Sequence, residues 1–311
     1  MGSQVGGRAL VTGGCGFVGS AVVTALRSRG IPVTVADRQS PTNPVDGVTY
    51  VVGDLRDSHV RDEAVAQDTH GIIHLAALTS VLRSVERPEE TYADNVAVTQ
   101  GLLELARTRS VSRFLLASTN AVVGDVGAAT ITEHLPLRPL TPYGATKAAC
   151  EMLLSGYAGA YGLGACALRF SNVYGPGMAH KDSFVPRLMR AALTGSTVRI
   201  YGDGSQRRDL VHVDDVVRGV LLGWNSDYAG SAIIGSGHSV SVLELVETVR
   251  RVTGKPLTTE HIAAKRGEMP AVVVNLSHSF DAIGYRPTVD LAEGLASTWR
   301  YFRDEVSGET T

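Results

Sequence analysis

Cysteine is scarce in this chain of 311 residues, and long apolar runs and an excess of either charge are missing. The three cysteines include no Cys-x-x-Cys pair, and no histidines cluster at zinc spacing, so neither a disulfide framework nor a structural metal site is indicated. No apolar run approaches the ~18 to 20 residues that span a bilayer, and the first residues lack the basic and apolar regions of a secretory signal. These absences predict a cytoplasmic protein with no membrane partner and no metal.

Positive and negative side chains are nearly balanced, with 29 Lys and Arg against 31 Asp and Glu. The net charge of -2 gives none of the electrostatic footprint of a nucleic-acid binder, so a small ligand is expected. Hydrophobic residues make up 44% of the chain, which indicates a globular rather than a disordered protein. Because the length exceeds the ~250 to 300 residues at which single cores stop growing, we expect two lobes around one cleft.

The first half alternates short β-branched runs with longer amphipathic stretches, which is the pattern of β-α-β units. Strands are predicted at residues 8–12, 32–36, 48–52, 71–75, 113–117 and 165–170. Helices are predicted at 17–29, 85–108 and 143–161, the last beginning just after a Thr-Pro pair. This order predicts an α/β fold with a doubly wound parallel sheet.

The rhythm changes after Phe170, where segments rich in glycine and polar residues separate shorter elements. Strands at 197–201 and 231–234, with helices at 185–193, 213–224, 240–252 and 291–302, would build a smaller mixed α/β lobe. We assign residues 1–172 to a nucleotide-binding lobe, to which residues 210–235 return. Residues 173–209 and 236–311 are assigned to a C-terminal substrate lobe.

Glycines at positions 13, 16 and 19 lie directly between the first strand and the first helix. This is the context of a Rossmann-type dinucleotide loop: Gly13 permits the tight turn, Gly16 lets backbone approach a pyrophosphate, and Gly19 allows close helix packing. Asp37 follows Gly19 by 18 residues, where a carboxylate holds the adenosine ribose hydroxyls and repels a 2′-phosphate. The pattern predicts NAD, although Arg38 offers a guanidinium that would suit NADP.

The segment after the third strand leaves two interpretations open. Asp54, which Leu55 follows, either contacts the adenine amine or caps a helix, and Asp57 could equally fill the capping role.

Tyr143 and Lys147 are four positions apart at the start of a predicted helix, which puts them on one face, one turn apart. A neighbouring ammonium and an oxidised nicotinamide lower the phenol pKa of ~10, so that the tyrosine can remove a hydroxyl proton near neutral pH. Ser118 and Thr119 directly follow the fifth strand, at the sheet edge where ligands of such folds bind. A hydroxyl there can hydrogen-bond the same substrate oxygen.

Together and in this order, these motifs resemble the extended short-chain dehydrogenase/reductase superfamily, in the NAD-dependent epimerase/dehydratase branch that acts on nucleotide sugars. The resemblance covers nearly the whole chain and implies that Thr119, Tyr143 and Lys147 are the catalytic trio. With the motifs above, it predicts the cofactor contacts Gly13, Gly16, Phe17, Val18, Gly19, Asp37, Arg38, Asp54, Leu55, Leu75, Ala76, Ala77, Asn95, Tyr143 and Lys147. The predicted substrate contacts are Ser118, Asn172, Val185, Arg208 and Arg266.

The chain also departs from patterns of this family. Sugar 4,6-dehydratases of the branch carry an Asp-Glu pair immediately after the catalytic threonine, whereas this chain has Asn120 and Ala121. A tyrosine of the family is replaced by Val123, which would reshape the sugar pocket. The basic segment that includes Arg266 resembles a second phosphate contact but lacks the proline of the family's version.

These features predict a nucleotide-sugar 4-epimerase that acts on a UDP- or dTDP-hexose. The sugar would be oxidised transiently at C4 to a 4-keto intermediate and reduced again on its opposite face, with NAD kept bound. The alternative is an NAD(P)H-dependent 4-ketoreductase of a deoxysugar pathway, which would use the same trio once. A sugar dehydratase or a catalytically silent NAD-sensing protein is less favoured. The resemblance further implies a homodimer.

Two other polar groups have competing interpretations. His212, Asp214 and Asp215 resemble a metal cluster, but they open a predicted helix, so we favour a capping role. His180 and Lys181 lie in a loop that would cover the sugar, where they either select the substrate or form a solvated face.

Overall fold

The computed structural model describes residues 7–127, 129–263 and 270–308. The strands are β1 Arg8–Thr12, β2 Val33–Asp37, β3 Val48–Val52, β4 Thr69–His74, β5 Arg113–Thr119, β6 Gly164–Phe170, β7 Asn172–Tyr174, β8 Val198–Tyr201, β9 Arg207–His212, β10 Gly230–Ile234, β11 Ser239–Ser241 and β12 Thr259–Ile262. The α-helices are α1 Phe17–Arg27, α2 Ser58–Ala64, α3 Val81–Glu86, α4 Pro88–Tyr92, α5 Val98–Thr108, α6 Pro142–Tyr161, α7 Phe184–Thr194, α8 Val213–Trp224, α9 Val242–Thr253, α10 Ser277–Ile283 and α11 Leu291–Gly308.

Seven strands form one parallel sheet in the order β10-β6-β5-β4-β1-β2-β3. The chain runs outward from β1 to β3, then returns to place β4 on the other side of β1. The strand order therefore reverses between β1 and β4, and the carboxyl ends of these two strands border a crevice, the usual ligand site of such sheets. The predicted doubly wound α/β fold is confirmed.

The large sheet is covered on both faces, which explains why its strands read as nearly continuous apolar runs. On one face, Leu26 of α1 and Val220 of α8 pack in a buried cluster with β-strand side chains. On the other, Leu102 of α5 and Leu154 of α6 belong to a second buried cluster. The two helical layers hold the strands, and therefore the strand ends that carry the site, in fixed positions.

The single helix predicted at 85–108 is wrong. The structure has α3, α4, a π-helical turn at Ala93–Ala97 and α5 in its place. Pro88 occupies the first turn of α4, and Arg87 before it is non-helical, with φ -134°. Proline disfavours the helical conformation of the preceding residue, so α3 ends there.

The smaller lobe packs α7, α9 and α11 around a separate apolar cluster. Its strands form a three-stranded sheet, β11-β9-β7, and the pair β12-β8. In the described part of the chain, β10 joins the large sheet, and α8 packs against β5 and β6. In addition, α10 packs against β10, and Tyr285 joins a core cluster of the large sheet.

An ion pair is buried between α6 and β6. Arg169 donates from Nη2 to Glu151 Oε2 at 2.7 Å and from Nε to Oε1 at 3.0 Å, and both side chains are at most 5% exposed. The same guanidinium donates to the carbonyl oxygen of Glu133, while the hydroxyl of Ser118 donates to Glu151. Because every member has a partner, the pair is held in one geometry behind the end of β5.

We expect Arg169→Met to lower the free energy of unfolding by about 3–5 kcal/mol, because it leaves the Glu151 carboxylate buried without its counter-charge. Urea denaturation would measure the change. The exposed pair Glu104–Arg107 supplies the control, since Arg107→Met should leave the denaturation midpoint nearly unchanged. A double variant, Glu151→Leu with Arg169→Met, should recover much of the loss. Equal midpoints for Arg169→Met and Arg107→Met would contradict this account.

Candidate active site

Two glycines make the loop after β1 fit its surroundings. Gly13 has φ +70°, and a Cβ there would lie 2.8 Å from the backbone nitrogen of Ala76, in the segment after β4. A Cβ on Gly19 would lie 2.0 Å from the carbonyl oxygen of Gly13. The two strand ends therefore meet backbone to backbone, and the N-terminus of α1 is drawn against the loop. These contacts leave a cradle lined by backbone in front of the first turn of α1.

A buried polar pair joins the same two strand ends. The hydroxyl of Thr12 lies 2.7 Å from Nδ1 of His74 and accepts a hydrogen bond from the backbone nitrogen of Ala76. The other ring nitrogen of His74 lies 3.0 Å from the hydroxyl of Thr99 on α5. Burial, reinforced by the charge of Lys147, lowers the pKa of His74 to about 3. His74 is therefore neutral and serves as a cross-link between β1, β4 and α5.

Asp37 ends β2 and faces the cavity beside the glycine loop. Its carboxylate accepts hydrogen bonds from the backbone N–H groups of Cys15 and Gln39, both at 3.0 Å. These bonds orient the carboxylate at the position where the sequence predicts an adenosine ribose.

Arg38 is committed to two carboxylates. Its guanidinium donates to Asp94 at 2.7 Å and to Asp54 at 3.0 Å. These contacts, the hydrogen bond to Asp94 above all, raise the pKa of Arg38. Asp54 also accepts hydrogen bonds from Arg56, and despite its partial burial these contacts hold the pKa of Asp54 well below the usual range. The competing capping role for Asp54 is wrong, because Asp57 caps α2 by accepting from the N–H of residue 59.

Tyr143 is fixed by the start of α6. Thr141 caps this helix, and proline occupies its first position. The backbone nitrogen of Tyr143 donates to the hydroxyl of Ser84 on α3 at 3.1 Å. One turn further along, the Lys147 ammonium donates to the carbonyl oxygen of Ala117 at 2.8 Å, near the end of β5. The tyrosine and the lysine thus meet the strand end that carries Thr119.

Burial dominates the electrostatics of these side chains. It raises the pKa of Tyr143 to about 12, and a hydrogen bond with Thr119 acts in the opposite direction. Burial also lowers the pKa of Lys147. In the protein without ligands, removal of the phenol from water therefore outweighs the hydrogen bond with Thr119. The predicted shift toward neutral pH depends on an oxidised nicotinamide as well as on the ammonium of Lys147.

Two predicted contacts have mainly internal partners. Asn95 is 1% exposed, and its amide bonds both the N–H and the carbonyl of Leu78 and the hydroxyl of Thr146. It therefore ties the segment after β4 to the helix of Tyr143. Ser118 borders the cavity, but its hydroxyl donates to Glu151. Neither Asn95 nor Asp54 lines the cavity wall.

One cavity of ≈ 460 Å³ brings the remaining predicted cofactor and catalytic residues together. Its lining includes the predicted residues Gly13, Gly16, Phe17, Val18, Gly19, Asp37, Arg38, Leu55, Leu75, Ala76, Ala77, Ser118, Thr119, Tyr143 and Lys147. The sequence analysis missed Asp94 as a wall residue and as the partner of Arg38, although it directly precedes Asn95. It also missed Phe170, Ser171 and Met178, although Phe170 and Ser171 directly precede the predicted contact Asn172.

A second cavity adjoins the first, and Val173 and Ser183 line both. The predicted substrate contacts Asn172, Val185 and Arg208 lie on its wall. Arg266 is outside the described residues. The two cavities therefore form one elongated cleft, with the glycine loop and the predicted catalytic groups in one part and an arginine-containing wall in the other.

His212 belongs to neither cavity wall. It caps α8 by accepting from the N–H of Asp214, and its other ring nitrogen lies 3.1 Å from the hydroxyl of Ser297. Asp215 accepts from the backbone of residues 288 and 289. Within the described ranges, no three histidine, cysteine or acidic side chains are grouped to hold a metal. Over the same ranges, no helix has the length and apolar character needed to cross a membrane.

Comparison with known proteins gives a consistent family. Residues 9–232 match the family model of the NAD-dependent epimerase/dehydratase family. The chain is 33% identical to a UDP-glucose 4-epimerase of Streptomyces lividans, over 97% of this chain and 98% of that protein. It is 34% identical to a dTDP-glucose 4,6-dehydratase of an Actinoplanes species, over 94% of this chain and 97% of that protein.

A solved structure gives the same result. The UDP-glucose 4-epimerase of Thermus thermophilus, crystallised with NAD, superposes with a TM-score of 0.88 at 34% identity, over 95% of this chain and 99% of that one. The cavity described above fits this cofactor: the backbone cradle in front of α1, which the close contact of Gly19 with Gly13 holds against the helix N-terminus, suits a diphosphate, and Asp37 lies where a ribose is expected. With NAD as its cofactor, the chain belongs to the NAD-dependent epimerase/dehydratase family.

Proposed function

We propose that this protein is a nucleotide-sugar 4-epimerase. The observation that carries the proposal is the distribution of carboxylates around the catalytic cavity. Among the described residues of its wall, the carboxylates are Asp37, which ends β2, and Asp94, which accepts hydrogen bonds from Arg38 directly after β2. In the sheet, β2 and β5 are separated by β4 and β1, which corresponds to roughly 14 Å at strand spacing. No carboxylate of the described wall therefore accompanies Thr119 and Tyr143.

This distribution favours epimerisation over dehydration. Eliminating water from a sugar requires an acid and a base in addition to the group that deprotonates the C4 hydroxyl. The two positions after Thr119 are Asn120 and Ala121, neither of which exchanges protons near neutral pH. Inversion at C4 needs only a residue that removes and returns one proton, so the trio is sufficient.

The catalytic residues have separate tasks in this proposal. When bound, NAD accepts the hydrogen of C4 as hydride and returns it. Tyr143 removes the proton of the C4 hydroxyl and later gives it back. Thr119 stabilises the charged form of Tyr143 and steadies the sugar oxygen. Lys147 supplies positive charge in a buried setting, where electrostatic interactions are stronger than in water.

The adjoining cavity supports a large, anchored substrate. A guanidinium such as that of Arg208 suits a phosphate, and Asn172 lies on the same wall, with its amide donating to the carbonyl of Asp209. Holding the nucleotide diphosphate there lets the 4-keto sugar rotate while it stays attached. Such anchoring is what re-reduction on the opposite face requires. We therefore propose a UDP- or dTDP-hexose as substrate.

The ketoreductase alternative has less support than it had from the sequence. That interpretation drew on Arg38 as a partner for the 2′-phosphate of NADPH. The guanidinium instead bonds Asp94 and Asp54, and Asp37 lies beside it, so the ribose end is lined by carboxylates. This setting disfavours an added phosphate.

We also propose a homodimer in which α6 contributes to the interface. Met152 on this helix is 59% exposed and Tyr92 on α4 is 58% exposed. Large apolar side chains on neighbouring helices are typical of a protein contact surface when they form one patch.

The turnover experiment uses purified protein, a panel of UDP- and dTDP-hexoses and no added cofactor, with products followed by mass spectrometry and proton NMR. We expect a product of unchanged mass with C4 inverted. A product that has lost one water would identify a dehydratase instead. Reduction of a 4-keto sugar only when NAD(P)H is added would favour the ketoreductase.

Tyr143→Phe should reduce kcat by about 10²–10⁴-fold, because the proton acceptor is lost while the ring that packs in the cavity is kept. The NAD content of the purified variant should be unchanged. Tyr161→Phe is the matched control, since Tyr161 lies on the same helix, is exposed and should retain full activity. A Tyr143→Phe variant with near-normal kcat would overturn the assigned role.

Thr119→Val should move the rising limb of the kcat profile to higher pH. Because the hydrogen bond from Thr119 lowers the pKa of Tyr143, removing it raises that pKa and leaves less phenolate at neutral pH. We expect kcat at pH 7 to fall several-fold, in keeping with the loss of one hydrogen bond. Thr119→Ser keeps the hydroxyl and should restore the limb. An unshifted profile for Thr119→Val would remove Thr119 from this role.

A further inference from the structure

Lys181 is a cation on the wall of the catalytic cavity that the proposed mechanism does not use. Its side chain is partly buried, and its ammonium has no hydrogen-bond or ion-pair partner among the described residues. Burial lowers the pKa of Lys181, with no opposing contribution from a carboxylate. A charge withdrawn from water without a counter-charge is unfavourable, so the position suits an anionic ligand.

The backbone around Lys181 is held in place. Arg190 on α7 donates from Nη1 to the carbonyl oxygens of Ala179 and Lys181, at 2.8 and 3.0 Å. The N–H of Lys181 donates to the carbonyl of Met178. The adjacent carboxylate of Asp182 is bonded by Arg187 at 2.8 and 2.7 Å and so does not neutralise the lysine. The loop therefore presents Lys181 to the cavity from a fixed base.

Lysine is rare in this chain and is concentrated at the catalytic cavity. The chain's lysines are Lys147, Lys181, Lys255 and Lys265, and two of these four line the same cavity. Lys147 is held at the carbonyl of Ala117, and Arg38 is neutralised by two carboxylates. Among the three cations of the described wall, Lys181 is therefore the one that is neither neutralised by carboxylates, as Arg38 is, nor assigned to the catalytic trio, as Lys147 is.

The loop of Lys181 also lies next to the glycine cradle. A Cβ on Gly177 would be 3.4 Å from the ring of Phe17, the first residue of α1. Residues 13–20, which form the cradle and the first turn of α1, contain no basic side chain. A diphosphate in the cradle would receive backbone N–H groups and the helix dipole from that segment, but no full positive charge.

We propose that Lys181 binds a diphosphate group in this cavity. Both expected ligands carry one: NAD at the glycine cradle, and the nucleotide sugar at the adjoining cavity, which Ser183 borders two residues further along. The contact with the nucleotide sugar rests on the proposed function, whereas the contact with NAD rests on the family cofactor alone. A charge-assisted contact of this kind also fastens the loop over the cleft when ligand is bound.

The test compares Lys181→Met with Lys181→Arg and with Lys255→Met, whose lysine is exposed and lines neither cavity. One arm measures the exchange of bound NAD for isotopically labelled NAD in the purified holoenzyme. The other measures binding of UDP and of dTDP to the same holoenzyme by calorimetry. Thermal melting of each variant verifies that it is folded.

We expect Lys181→Met to accelerate NAD exchange or to weaken nucleoside diphosphate binding by about tenfold or more, as for loss of one charge-assisted hydrogen bond. The affected arm identifies the source of the diphosphate. The affected constant should also depend less on salt than in the unaltered protein, and Lys181→Arg should retain most of the affinity. Unchanged exchange and unchanged binding in a folded Lys181→Met variant would overturn the proposal. Because neither arm requires turnover, a failure of the epimerase proposal would be seen separately.

Discussion

The close approach of two backbone segments at the reversal of strand order governs the rest of this structure. Residue 13 can carry no side chain because the chain after β4 passes within 2.8 Å of where a Cβ would lie. That contact places the ends of β1 and β4 side by side, and the buried hydrogen bond between Thr12 and His74 holds them together. The cradle, the ribose carboxylate and the segment that Asn95 ties to α6 are all placed relative to this junction.

The side chains proposed as catalytic are buried away from water, and this has opposing effects. Burial strengthens each electrostatic contact but also raises the pKa of Tyr143 to about 12 in the protein alone. In the proposed mechanism the phenol therefore depends on charges that arrive with the ligands, which couples proton transfer to ligand binding. The ion pair of Glu151 and Arg169 shows the structural side of the same principle, since its charges lie behind the site and every one is bonded.

Sequence patterns predicted the elements whose causes are local. The first strand, the glycine loop and the Tyr143 helix follow from hydrophobic periodicity, turn residues and a cap, and all were recognisable in the chain. The break at Pro88 was overlooked because the flanking apolar periodicity continues across it. Among the described residues, β9 pairs with β11, with β7 and through a bridge with Ala271, so the stability of these short strands comes from distant partners. The pairing of Arg38 with Asp94 joins residues 56 positions apart, which spacing alone does not reveal.

The double engagement of Arg38 has a consequence for the evolution of coenzyme preference. Replacing Asp37 alone would remove one repulsive charge yet leave the neighbouring guanidinium bonded to Asp54 and Asp94. Removing either of those two would free only part of it, and the remaining carboxylate would still compete with a phosphate. Preference for the unphosphorylated ribose is thus distributed over three acidic positions on separate segments. We therefore expect a reversal of coenzyme preference to require substitutions at more than one of these positions.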